Sequence, residues 1–185
     1  MSKEIPTIQA VDSSCAAELL TLRAKLYEDE LIVAGADPQT ARQHVEPWRR
    51  EETLQGFTQT LEEWNEDPDH LLRTIECEGR LAGYFHGEIR PSSVIEGEEK
   101  YVGAIQLAPE VRRRGIGRRL MQEFEAFAPH PDDEQCPITL EVLAGNTDAI
   151  AFYMALGFRR TVHIATNVPH LRAFEMRKEV VAKEA

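Results

Sequence analysis

The chain has no apolar run of membrane-spanning length, no surplus of positive charge and no repeating cysteine pattern. Each absence removes a class of function. A transmembrane helix needs about 20 consecutive apolar residues, and nothing here approaches that. With 21 Lys+Arg against 32 Asp+Glu and a net charge of −11, the chain would be repelled by nucleic-acid phosphates and anionic membranes. Cys15, Cys77 and Cys136 are isolated and odd in number, which suits neither a disulfide framework nor a metal cluster. With no signal-like N-terminus, a reducing cytoplasm is the expected compartment. His44, His70, His86, His130, His163 and His170 form no i,i+4 pair, so no metal site is expected. Internal repeats and low-complexity segments are also missing.

What is present reads as one domain over residues 1–185, a length that buries a sizeable core. Residues 1–69 hold a first strand within Ile5–Ala10 and a helical region. Cys15, Leu19, Leu22 and Leu26 recur at helical spacing after an Asp12 or Ser13 cap. Gly35 and Asp37-Pro38 end that helix, Pro38 starts a short turn, Pro47 interrupts it, and Leu54, Phe57, Leu61 and Trp64 mark another helix. Seven acids and no Lys or Arg lie between Glu51 and Asp69, either a solvated helix face or an attraction for a cationic substrate. Trp48 and Trp64 fall at helical-pattern positions suited to core or interface.

Residues 70–128 turn strand-like, with Leu71–Cys77 and Arg80–Arg90 joined by Glu78-Gly79 as a two-residue hairpin turn. A polar loop follows over Pro91–Lys100, and Tyr101–Leu107 completes an antiparallel meander. A helix from Gly115 to about Phe127 carries Ile116, Leu120, Phe124 and Phe127 on one stripe. After a Pro129–Pro137 loop, residues 138–179 hold a strand at Ile138–Leu143 and a helix from Asn146 capped by Gly157. Two strands, Phe158–Thr166 and Arg172–Glu179, flank Asn167-Val168-Pro169. The fold class is mixed α/β.

Between the third meander strand and its helix lies Arg112-x-x-Gly115-x-Gly117. Five arginines (Arg112, Arg113, Arg114, Arg118, Arg119) crowd eight positions of an otherwise acidic chain. They fall where the first amides of a helix are unpaired and glycine admits an anion close to the backbone. No Gly-Lys-Ser/Thr follows, which excludes a P-loop, and the three-glycine dinucleotide fingerprint is missing.

The stretch Ile105-Gln106-Leu107-Ala108-Pro109-Glu110-Val111-Arg112-Arg113-Arg114-Gly115-Ile116-Gly117 resembles the acetyl-CoA motif of the Gcn5-related N-acetyltransferases (GNAT), Gln/Arg-x-x-Gly-x-Gly/Ala after a strand. A second block, Leu140-Glu141-Val142-Leu143-Ala144-Gly145-Asn146 followed by Ala149 to Phe158, is similar to the family's later strand and helix, with Asn146 and Tyr153 separated by six residues. The resemblance covers about Leu71 to Glu179. It implies the GNAT fold, a mostly antiparallel central sheet of about seven strands flanked by helices. It implies acetyl-CoA as cosubstrate without a metal, an amine acceptor, and a possible homodimer.

Residue by residue, the resemblance implies that Ile105 and Leu107 lie beside the pantetheine arm and that Arg112, Arg113, Arg114, Gly115, Ile116 and Gly117 wrap the pyrophosphate, extended by Arg118. Asn146 would reach the pantetheine or its phosphate end, and Tyr153 the sulfur. Acetyl transfer needs a neutral amine, and deprotonating an ammonium of pKa about 10.4 at pH 7 costs roughly 4.6 kcal/mol. Glu141 is the first candidate base, although its alternation with Leu140 and Val142 equally suits an outer strand face. Glu88 and His86 come next, then Tyr101. A backbone amide near Leu107 or Ala108 can polarise the carbonyl. Tyr153 is suited to return a proton to the thiolate, although core packing alone would also explain it. The expected reaction is direct attack by a small cationic amine in a ternary complex. A protein N-terminal or lysine acetyltransferase and a non-catalytic acetyl-CoA sensor are the alternatives.

Overall fold

In the computed structural model, which describes residues 5–92, 96–130, 136–168 and 170–180, Glu78 and Gly79 both have positive φ, 55° and 68°. That is the backbone of the two-residue turn that matches strand twist. It joins β2 (His70–Cys77) to β3 (Arg80–Pro91), which pairs in turn with β4 (Glu98–Leu107). β1 (Thr7–Ala10) adds antiparallel to β2. On the far side come β5 (Ile138–Leu143), β6 (Arg159–Ala165) and β7 (Arg172–Lys178), giving one seven-stranded sheet in the order β1-β2-β3-β4-β5-β7-β6. Every neighbouring pair is antiparallel except β4 and β5.

Successive strand residues face opposite sides, and the sheet is covered on both. Tyr84 and Leu72 bury against Leu19 and Leu20 of α1 (Ala16–Val33) and against Phe57 and Leu61 of α3 (Glu51–Glu66). Phe85, Val102 and Leu140 bury on the other face against Leu120, Met121 and Phe124 of α4 (Ile116–Glu125) and Ile150 and Tyr153 of α5 (Thr147–Ala155). A side chain such as Phe124, fully buried, contributes about 1.5–3 kcal/mol by leaving water.

Local chemistry sets the helix ends. α1 stops at Gly35, φ 106°, where Gly35 N–H bonds Ile32 O and Ala36 N–H bonds Leu31 O, a Schellman close that needs a left-handed residue. Asp37 then caps α2 (Pro38–Val45), accepting from the Gln39 and Thr40 amides with Pro38 in the first turn. Pro47 sits in a short 3-10 turn over Glu46–Arg49.

The meander departs from expectation at its tip. Pro91–Lys100 was expected to be all loop, yet β3 runs to Pro91 and β4 begins at Glu98. Paired polar side chains make this possible: Arg90 bridges Glu99 at 3.1 Å and the Ser92 hydroxyl donates to Glu99 at 3.0 Å. Residues 93–95, residues 131–135 of the Pro129–Pro137 loop, and Pro169 lie outside the described residues. The three cysteines are unbridged. No helix among the described residues is long and apolar enough to cross a membrane.

Candidate active site

β4 and β5 pair only through Lys100, Tyr101 and Val102 with Ile138, Thr139 and Leu140. β4 nevertheless continues to Leu107 and β5 to Leu143. Beyond three residue pairs the strands run on apart and leave a wedge in the middle of the sheet. Backbone groups of residues 103–107 on that side have no ladder partner from β5, so a ligand can take them. Ile105 and Leu107, both half-buried, lie in this stretch.

At its lower end the wedge meets the arginine-rich turn. Val111 is fully buried and anchors a 3-10 turn over Pro109–Val111. Arg112 Nε donates to the Leu107 carbonyl at 2.7 Å, tying the turn to the end of β4. Arg113 and Gly115 are both left-handed, with φ 60° and 79°, and alternating handedness of this kind aims successive amides into one concavity. Gly115 caps α4 with no side-chain acceptor, so the amides of the first turn stay available to an anion. Gly117 allows close packing, since a Cβ there would lie 3.1 Å from Phe152 of α5. Arg118 and Arg119 are exposed at the rim, and Arg114 is half-buried. The Arg113–Asp148 pair at 3.5 Å is fully in solvent and contributes little.

The β5 side is built on Asn146. Its side-chain oxygen accepts from the Ala149 amide at 3.2 Å and caps α5, while its Nδ2 donates to Glu30 Oε1 of α1 at 3.1 Å. Burial pushes the Glu30 carboxyl above the usual range, opposed by the Asn146 bond and by Arg112. Glu30 is the residue that sequence reasoning missed. Its contact spans 116 positions of sequence, and the only local trace is Gly145, where a Cβ would stand 2.3 Å from the Ala34 carbonyl oxygen. α1 thus ends directly on the turn after β5.

Tyr153 is buried, with its ring at 5.7 Å in an edge contact with Phe158 and at 5.2 Å from Phe152. Burial first, then the Glu30 charge, raises its phenol well above the ordinary value, so it stays protonated. Glu141 alternates with the buried Leu140 and Val142 and is itself exposed, which puts it on the α1 face of the sheet. Its charge reaches Tyr27 and Tyr101. Tyr101 is pushed up to about 12, by burial and then by Glu141, which leaves it protonated and unsuited to the base role.

Glu88 falls in a different group. It lies across from Tyr101 on β3, two strands from β5, 3.6 Å from Arg90 and 3.9 Å from both His70 and His86. His70 and His86 meet across β2 and β3 with nitrogens 3.0 Å apart, a neighbourhood that i,i+4 spacing cannot reveal.

Comparison with known proteins agrees with this geometry. The family model described as the acetyltransferase (GNAT) family matches residues 38–158, more than half of the chain. The peptidyl-lysine N-acetyltransferase YiaC of Escherichia coli K12 is 37% identical over 83 residues, 45% of this chain and 46% of that protein. The chain thus matches about half the length of that curated relative. In fold it is similar to the PaiA N-acetyltransferase of Thermoplasma acidophilum, solved in complex with coenzyme A, with a TM-score of 0.71 at 16% identity over 95% of this chain and 99% of that one. The ribosomal-protein-alanine N-acetyltransferase of Brucella melitensis superposes with a TM-score of 0.65 at 21% identity, over 94% of this chain and 99% of that one. The chain belongs to the GNAT acetyltransferase family.

Proposed function

We propose that this GNAT-family protein transfers the acetyl group of acetyl-CoA to a primary amine by direct attack in a ternary complex. One observation carries the reading: β4 and β5 pair for three residues and then part, directly above a glycine turn whose amides are open to a pyrophosphate. In this reading Ile105 and Leu107 bond the pantetheine, residues 112–117 hold the pyrophosphate, and Arg118 extends that grip. Asn146 keeps the β5 wall in place, with its amide committed to Ala149 and Glu30.

The chemistry divides between the two walls. Glu141, exposed on the α1 face beside the wedge, takes the ammonium proton, directly or through water. The neutral amine attacks the thioester carbon, the C–S bond breaks, and the protonated Tyr153 phenol supplies the departing sulfur. The second proton on the attacking nitrogen restores that phenol. Glu30 is a second candidate base, favoured by its raised carboxyl and its bond to Asn146, since perturbed carboxyls in clefts are frequent proton carriers.

Glu30 and Glu141 make the α1 side of the wedge acidic, which suits an ammonium-bearing acceptor. A small cationic amine is the first reading. A lysine or N-terminal amine of a protein is the second, supported by the similarity to a peptidyl-lysine acetyltransferase. Release of CoA thiol in the presence of small polyamines, lysine peptides and N-terminal peptides, with the acceptor mass followed in parallel, tests all three readings. A gain of one acetyl group identifies the acceptor. Tight acetyl-CoA binding with no thiol release from any amine leaves the sensor reading in place of the enzyme.

A further inference from the structure

His70 and His86 sit on adjacent strands with Nδ1 of the first 3.0 Å from Nε2 of the second. With Glu88 they form a group whose ligating atoms lie within 4.8 Å of one another, as a divalent-cation site would require. The ring geometry decides otherwise. The two imidazoles are coplanar to 1° and their centroids are 5.3 Å apart, longer than the nitrogen separation by about one ring radius at each end. Both nitrogens therefore lie on the line between the rings and point at each other. Metal ligands converge on a point off that line, whereas an N–H···N hydrogen bond wants this alignment.

The pair is held in place and closed off. His86 lies flat on Trp64 of α3, centroids 4.1 Å apart at 13°, and His70 on the same indole at 5.4 Å and 14°. His86 is buried, and its ring is pulled down to about 3 by burial, then by His70 and by Arg23 of α1, so it is neutral at working pH. Glu88 of β3 stands 3.9 Å from both rings, with its other oxygen 3.6 Å from Arg90. The two ends of the pair open in different places. At one end, a Cβ on Gly103 would lie 2.8 Å from His86 Nδ1; Gly103 is exposed and is the first β4 residue beyond the last pairing with β5. At the other end, His70 Nε2 lies 3.7 Å from the half-exposed carboxylate of Asp67.

We propose that His86 and His70 form a proton outlet leading from the wedge past Gly103 to solvent at Asp67. The inference rests on the acetyltransferase reading. Acetylation of an ammonium strips two protons from nitrogen and returns one to sulfur, so one proton must leave in each turnover. A proton reaching His86 Nδ1 from the base displaces the Nε2 proton onto His70 Nδ1, and the His70 Nε2 proton passes to water at Asp67. No ring keeps a charge. After products leave, the reverse hop takes a proton from water at Asp67, releases one into water in the open wedge and restores the first tautomers. The pair thus removes the proton while the reactants fill the wedge, and the net proton of each turnover reaches bulk water when the wedge empties. Gly103 is required because any side chain there would meet the imidazole.

The test uses the full chain with His70→Ala, His86→Gln and Asp67→Asn. His70→Ala and His86→Gln should lower kcat at least about tenfold at pH 7, with KM for acetyl-CoA unchanged. The loss should shrink as pH approaches the amine's own pKa, and added imidazole should restore His70→Ala. Asp67→Asn should show a smaller loss with the same pH trend. Folded His70→Ala and His86→Gln proteins with wild-type kcat at pH 7 overturn the outlet, as does an equal loss at all pH without imidazole rescue. In 15N-histidine-labelled protein, coupling across one shared proton between His70 and His86 supports the pair, and its absence refutes it even if no acceptor is found. A wild-type protein that turns over no amine sinks the acetyltransferase reading, while the coupling measurement still stands on its own.

Discussion

Gly145→Ala should be among the most damaging single-methyl additions in the protein, although Gly145 needs no special backbone, since its φ is not positive. The difficulty is steric. The new Cβ would fall 2.3 Å from the Ala34 oxygen, 2.6 Å from its Cα and 2.7 Å from its carbonyl carbon, all backbone at the end of α1. Relief requires α1 to move off the β5–α5 turn, and overpacking of this kind costs about 1–3 kcal/mol. The movement also stretches the 3.1 Å bond from Asn146 to Glu30, and a hydrogen bond to a charged group is worth about 1.5–3 kcal/mol. Together these come to about 2.5–6 kcal/mol, which lowers the thermal midpoint by roughly 5–24 °C in a chain of this size. Gly56→Ala is the matched control. It lies inside α3 with nothing within 4 Å of an added Cβ, and should stabilise by about 0.5–1 kcal/mol. Denaturant melts of both variants decide the matter. A Gly145→Ala protein within about 0.5 kcal/mol of wild type refutes the close seating of α1 that brings Glu30 to the wedge.

Glu141→Gln should lower kcat by about 10²–10⁴ at pH 7, with activity recovering as pH nears the amine pKa; a parallel pH profile at unchanged rate removes Glu141 from the mechanism. Glu30→Gln keeps an acceptor for Asn146 and removes a carboxyl whose folded pKa is raised by burial. The folded state then holds its proton to higher pH than the unfolded state, so wild-type stability falls as pH rises through the folded pKa and the deficit persists at neutrality. The variant should lose that slope and be at least as stable as wild type at pH 7, as read from melts across pH 4–8. Arg113→Gly relieves a left-handed non-glycine residue worth about 1–2 kcal/mol against a glycine entropy cost of about 0.5–1 kcal/mol, and should leave stability level or slightly higher.

Most of the fold could be read locally. The helical spacing of Leu54, Phe57, Leu61 and Trp64, the positive-φ Glu78-Gly79 turn and the stripe on α4 each depend on neighbours within a few residues, and each appears in the structure. The glycine turn was legible for the same reason, because a helix start without a side-chain cap is written in consecutive residues. What was not legible depends on contacts distant in sequence. Glu30 meets Asn146 from the end of α1, and His70 meets His86 only through β2–β3 register. Polar strand ends were also hidden: Glu98 and Glu99 look like loop residues until they are seen paired with Pro91 and Arg90. The surroundings of Glu88, a runner-up base, were hidden in the same way: it lies 3.6 Å from Arg90 and 3.9 Å from both His70 and His86.

The most direct test of the acetyl-transfer reading is a single-turnover experiment with acetyl-CoA and Tyr153→Phe, beside wild type, measuring both cofactor affinity and CoA thiol release to an amine acceptor. The phenol is protonated and its ring is fixed by Phe152 and Phe158, so the variant should bind acetyl-CoA as wild type does while thiol release slows by about a hundredfold or more. Equal release from both proteins, or loss of cofactor affinity matching the loss of rate, contradicts proton return by Tyr153.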